Sequence, residues 1–177
     1  ESFKNHVSVL FWSLGNESYA GDILVEMNRY YKEKDPDRLV HYEGVAENRP
    51  YEDLISDMES QMYAPPEKIK EYLENNPKKP FILCEYMHDM GNSLGGMESY
   101  IRLLDQYEDY QGGFIWDYID QALFVKDEVT GRDVLRYGGD FDDRPSDYEF
   151  SGNGILFADR TEKPAMQEVR HYYGLRR

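Results

Sequence analysis

Val9-Leu10-Phe11-Trp12-Ser13-Leu14-Gly15-Asn16-Glu17 is a short apolar run that ends abruptly in a polar tip. Pro80-Phe81-Ile82-Leu83-Cys84-Glu85-Tyr86-Met87-His88 repeats the design. In each, a glutamate falls where a buried strand should stop. A lone strand-end glutamate is equally well explained as a solvated or salt-bridged side chain. Two such tips in one chain are harder to explain that way. Two carboxylates at the ends of parallel strands supply an acid/base and a nucleophile, the pair that retaining glycoside hydrolysis requires.

Working outward, strand and helix patterns alternate. Apolar runs predict strands over 8–13, 38–42, 54–63, 81–85 and 113–116. Helical periods predict helices over 20–34, 65–75 and 97–107, the first stopped by Asp35-Pro36 and the second opened by proline. This is a parallel α/β pattern. The stretch 127–153 reads as loop, with Thr130-Gly131, Gly138-Gly139-Asp140 and Gly152-Asn153-Gly154. Asp140, Asp142, Asp143 and Asp147 lack the spacing of a calcium-binding EF-hand and read as a solvated loop. A complete (β/α)8 barrel takes about 250 residues. Five strands therefore suggest part of a TIM barrel. The rival is a complete doubly wound domain, but its Gly-rich phosphate loop is absent.

The chain has 177 residues and a net charge of -15, from 35 acidic and 20 basic residues. Nucleic acid and anionic membrane surfaces would repel it, so neither is expected as a partner. No apolar run approaches the roughly 20 residues of a membrane span. The single cysteine, Cys84, rules out an internal disulfide framework. Strand alternation sends its side chain to the face opposite Glu85, where it should be inert core. One cysteine and no visible leader give a cytoplasmic expectation, with a leader lost before Glu1 as the alternative. Aromatic residues make up 15% of the chain, enough to offer stacking faces for sugar rings as well as core.

Longer motifs carry a family resemblance. Trp12-Ser13-Leu14-Gly15-Asn16-Glu17 resembles the acid/base segment of bacterial β-galactosidases of glycoside hydrolase family 2. Cys84-Glu85-Tyr86-Met87-His88-Asp89-Met90-Gly91-Asn92-Ser93-Leu94-Gly95-Gly96 resembles its nucleophile segment. Gly112-Gly113-Phe114-Ile115-Trp116-Asp117 resembles its last barrel strand, and Asn153-Gly154-Ile155-Leu156-Phe157-Ala158-Asp159-Arg160 the segment that follows.

The resemblance implies a TIM (β/α)8 barrel, here about strands four to eight plus the following loop region. Residues 1–163 would be the partial catalytic domain, and 164–177 the start of a connection to a following domain. It implies Glu17 as acid/base and Glu85 as nucleophile. Asn16, Tyr63, His88, Trp116 and Asn153 would bind substrate. Magnesium is implied at Glu17, in an incomplete site, and sodium at the Phe150 carbonyl and Asn153. The implied activity is hydrolysis of terminal β-D-galactosides, lactose-like, by a segment inactive on its own. The remainder of the enzyme or a second copy would close the barrel.

By residue type alone, Asn16 is also a turn residue, Tyr63 and Trp116 are also core aromatics, and Asn153 is a residue between glycines. Tyr19-Ala20 replaces the family's usual Gly-His, Val7 a proline, Met87 and Asp89 small residues, and Asp142 a glycine. These departures bear on the leaving-group side, not on the two glutamates. Two rival functions stand beside this one: another family 2 glycosidase such as a β-glucuronidase, and a sugar-binding or scaffold module without turnover.

Overall fold

The computed structural model describes residues 2–174. They form two compact units. Among them the first comprises residues 2–84 and 103–113, the second 85–102 and 114–174.

In the first unit, β1 (Phe11–Ser13) pairs in parallel with β2 (Leu39–His41), Trp12 opposite Val40. The crossover is α1 (Asp22–Lys34), as a parallel pair demands. Asp22 opens this helix and Lys32 and Lys34 close it, each sign placed favourably on the helix dipole. Leu24 and Val25 bury against Leu14, Val40, Tyr42 and Ile55. α3 (Pro66–Glu74) starts on proline and buries Ile69 and Leu73, one turn apart. It leads from β3 (Glu59–Met62) to β4 (Phe81–Tyr86), and α4 (Met97–Gln106) leads from β4 to β5 (Tyr110–Ile115). These three strands form a sheet in the order β3-β4-β5. The unit boundary cuts β4, α4 and β5.

One expected strand is corrected. Residues 54–63 do not run as a single strand, because Leu54 and Ile55 complete the short helix α2 (Glu52–Ile55). Only Glu59–Met62 is strand, and its buried residues are polar. Glu59 is held by the Arg49 guanidinium at 2.6 and 2.9 Å, and Ser60 by His41 at 2.8 Å. The apolar pattern finds a strand here but cannot set its start, because the residues it buries are polar.

In the second unit, the stretch expected as loop contains a hairpin. β6 (Leu123–Lys126) pairs antiparallel with β7 (Asp133–Arg136) around a turn in which Asp127 accepts from the Thr130 N–H. The aspartates of the next loop serve the backbone. Asp143 accepts from the N–H groups of Gly139 and Phe141, and Asp140 from that of Tyr137. α5 (Met166–Gly174) covers much of the stretch expected to lead into a following domain. Its Val169 shares a core with Met97, Ile155 and Leu156, and its Glu168 accepts the Met97 N–H at 2.7 Å. Among the described residues no helix is long and apolar enough to cross a membrane.

Candidate active site

The acid/base candidate sits on a clamped turn. β1 ends at Ser13, Leu14 buries, and the chain emerges at Asn16 and Glu17, both exposed. Glu17 takes the left-handed backbone, φ 50°, which costs a non-glycine residue energy and needs support. The support comes from the residues just after β2. Glu43 accepts the Glu17 N–H at 2.5 Å. The Tyr42 hydroxyl accepts the Ser18 N–H at 2.9 Å and donates to the Ser18 carbonyl. Tyr42 is completely buried.

Gly44 completes the clamp. A Cβ there would lie 2.5 Å from the Tyr42 ring and 2.6 Å from the Ser18 carbonyl oxygen. Reading by motif missed Tyr42-Glu43-Gly44 as site residues. The signal was present: a glutamate and a glycine directly after a predicted strand.

Below the turn, His41 ties three strands together. Its Nδ1 lies 2.9 Å from the Ser13 Oγ of β1 and its Nε2 2.8 Å from the Ser60 Oγ of β3. Burial pushes the imidazole down to about 4, so it is neutral near pH 7. Tyr63 follows β3 directly, 40% exposed, also with left-handed backbone at φ 51°.

The nucleophile candidate, Glu85, is the penultimate residue of β4 and half-buried. Cys84 beside it is half-buried too, not core as alternation suggested. Tyr86 is buried, its hydroxyl 2.8 Å from that of Tyr173. Beyond the strand the chain stays tied to the β5 side. Trp116 donates its N–H to the Tyr86 carbonyl at 2.9 Å and accepts the Asp89 N–H at 3.0 Å. His88 between them packs its ring edge-on to Phe150, centroids 6.1 Å apart. Trp116 keeps 37% of its surface exposed, so a core role does not describe it. Asp89 is 2% exposed, and burial pushes its carboxyl up.

Asn153 is not an ordinary turn residue. It is 3% exposed, its Nδ2 donates to the Phe150 carbonyl, and its Oδ1 meets no partner among the described residues. Two devices hold it. Its carbonyl accepts the Asp117 N–H at 2.8 Å. Asp120 accepts from the Gly154 N–H at 2.9 Å and from Lys163 Nζ at 2.8 Å, while Lys163 also donates to the Gly152 carbonyl at 3.1 Å. Gly154 is required: a Cβ there would lie 2.2 Å from the Asp120 nitrogen. Among the described residues no three His, Cys, Asp or Glu side chains gather as a metal site.

The sequence-predicted residues thus form two groups, each built within one unit. Asn16, Glu17 and Tyr63 belong to the first, and Glu85, His88, Trp116, Phe150 and Asn153 to the second.

Comparison with known proteins matches these motifs. The model of the glycosyl hydrolases family 2 TIM barrel domain matches residues 1–176. The chain is 74% identical over 174 residues to the β-galactosidase large subunit of Latilactobacillus sakei, covering 98% of this chain and 28% of that protein. It is 61% identical to a β-galactosidase of Halalkalibacterium halodurans, covering 98% of this chain and 17% of that protein. The chain spans roughly a quarter of the length of the large subunits it matches. Among solved structures, the fold is similar to a Lactobacillus rhamnosus β-glucuronidase at TM-score 0.60 and 18% identity, over 98% of this chain and 33% of that one. It is similar to an Eisenbergiella tayi β-galacturonidase at TM-score 0.60 and 16% identity, over 98% and 34%. At such identities the structural likeness speaks for the fold alone. The chain belongs to glycoside hydrolase family 2, within that family's TIM barrel domain.

Proposed function

We propose that this chain carries the two catalytic carboxylates of a retaining β-galactosidase. The observation that carries the reading is that Glu17 follows β1 on a clamped turn and Glu85 is the penultimate residue of β4, each inside a family motif. Similarity to β-galactosidase large subunits at 74% and 71% identity supports galactosides over other β-glycosides.

Glu17 would protonate the leaving glycosidic oxygen while Glu85 attacks the anomeric carbon. Glu17 would then deprotonate the water that releases galactose. Their carboxyls are expected about 5–5.5 Å apart, the retaining separation. Asn16 would hydrogen-bond a sugar hydroxyl, and Tyr63 would hold the nucleophile ionised through its phenol. His88 and Trp116 would bind and stack the galactose ring.

Sodium fits Asn153 and Phe150. An amide flip exchanges Oδ1 and Nδ2, and would turn the unpartnered Oδ1 toward the Phe150 carbonyl. Two converging oxygens suit a hard cation. Its charge would hold a sugar hydroxyl in place. Magnesium does not fit this chain's residues alone, since Glu17 has no second and third ligand gathered near it among the described residues. No step is assigned to either ion.

Completion of the site belongs to the remainder of the enzyme. In the described sheets β1 pairs only with β2, and Val7 and Leu10 beside it are 93% and 76% exposed. An open strand edge flanked by apolar side chains invites a covering partner.

The test uses the full-length enzyme and a 2-fluoro galactosyl donor. Glu85→Gln should take no label. Glu17→Gln should still be labelled by donors with activated aryl leaving groups, which need little protonation. Equal loss in both variants refutes the role assignment. Turnover of a nitrophenyl β-glucuronide exceeding that of the galactoside refutes the substrate.

A further inference from the structure

We propose that Tyr19 is the stacking platform of a leaving-group subsite beside Glu17, built for a neutral aldopyranose. The inference rests on Glu17 being the acid/base.

Glu17, Ser18 and Tyr19 line one side of a cavity of about 600 Å³, within a single compact unit. Its volume lies within the usual range for a small-molecule site. Tyr19 is 75% exposed, so its ring takes little part in core packing. Yet its backbone is fixed on both sides. Ser18 is held through its N–H and carbonyl by the buried Tyr42 hydroxyl. Ala20 is 1% exposed, and the Gly21 carbonyl accepts the Leu24 and Val25 N–H groups of α1. A largely unpacked aromatic ring on a held backbone stands two residues from the proton donor. The leaving group must occupy the donor's side, because the glycosidic oxygen that receives the proton belongs to it. A pyranose brings an apolar C–H face, which an aromatic ring covers.

The cavity's charge narrows the ligand. Glu17, Glu43 and Glu47 line it, and the cation among the lining residues is Arg49. Arg49 is already paired bidentately with Glu59 at 2.6 and 2.9 Å, so little positive charge is left for a ligand. The cavity therefore favours a neutral sugar and disfavours a uronic acid. Glu47 and Gln61 offer acceptors for its hydroxyls.

The galactosyl-enzyme tests this directly. It is formed from nitrophenyl β-galactoside on the full-length enzyme, then partitioned between water and added glucose. The ratio of disaccharide to free galactose is internal to each preparation, so a smaller folded fraction does not move it. Tyr19→Ala should lower the ratio about fivefold, the size of one aromatic contact. Tyr19→Phe should stay within twofold of the parent, because stacking needs only the ring. Glucuronate should be transferred to at most a fifth as often as glucose. An unchanged ratio in Tyr19→Ala, an equal fall in Tyr19→Phe, or equal use of glucuronate overturns the subsite. A parent enzyme that releases no galactose overturns the underlying galactosidase reading instead.

Discussion

Gly44 is a residue whose identity is dictated by its surroundings. Any side chain there must displace the buried Tyr42 ring or the Ser18 carbonyl, at 2.5 and 2.6 Å from its Cβ. In the full-length enzyme Gly44→Ala should cost about 1–3 kcal/mol and loosen the turn that presents Glu17. Gly21→Ala is the control, since no atom lies within 4 Å of its added Cβ. A thermal melt in which both variants match the parent would refute the clamp. His41 supplies a pH dependence. Its folded pKa, about 4, lies below its ordinary value of 6.5. Between those values the unfolded chain binds a proton that the folded chain refuses. The stabilisation is therefore complete above about pH 6.5 and lost as pH falls toward 4, roughly 3 kcal/mol in all. Urea unfolding at pH 7 and pH 5 should show the decline, and His41→Gln should remove this part of it.

At the scale of elements, each predicted α/β crossover joins the strands it was expected to join. Periodicity found α1, α3 and α4 to within a few residues because each presents one apolar face. It drew β3 too long, because the residues that strand buries, Glu59 and Ser60, are polar, and it lost the hairpin of β6 and β7, whose side chains are largely exposed. In neither case is burial written as a hydrophobic pattern. The junction of α5 with α4 combines the shared core of Val169 and Met97 with a polar contact. The Glu168 carboxylate takes the Met97 N–H at the start of α4, where the helix dipole also favours a negative charge. Glu168→Ala should cost about 1 kcal/mol, with Glu168→Gln recovering part of it. No change in the unfolding midpoint of Glu168→Ala would show that the cap contributes nothing.

At the scale of the whole molecule, the two glutamates belong to different compact units, and the chain spans about 28% of the Latilactobacillus sakei large subunit. Without the remaining strands, positioning of the sugar should fail, and positioning alone supplies several kcal/mol of rate acceleration. The isolated 177-residue chain is expected to show no turnover of a nitrophenyl galactoside, and its exposed β1 edge should drive association visible by light scattering. Near-native turnover by a monomer would refute this. The sequence by itself determined the alternation of strand and helix, the family, and Glu17 and Glu85 as candidates, because apolar period and motif order are local properties of the chain. The tertiary structure decided what surrounds them. Tyr42 and Glu43 act on Glu17 from about 25 residues away, and Lys163 steadies Asn153 through Asp120, 43 positions distant. Such partners meet only when folding brings their elements together, and no local pattern in the chain records the meeting.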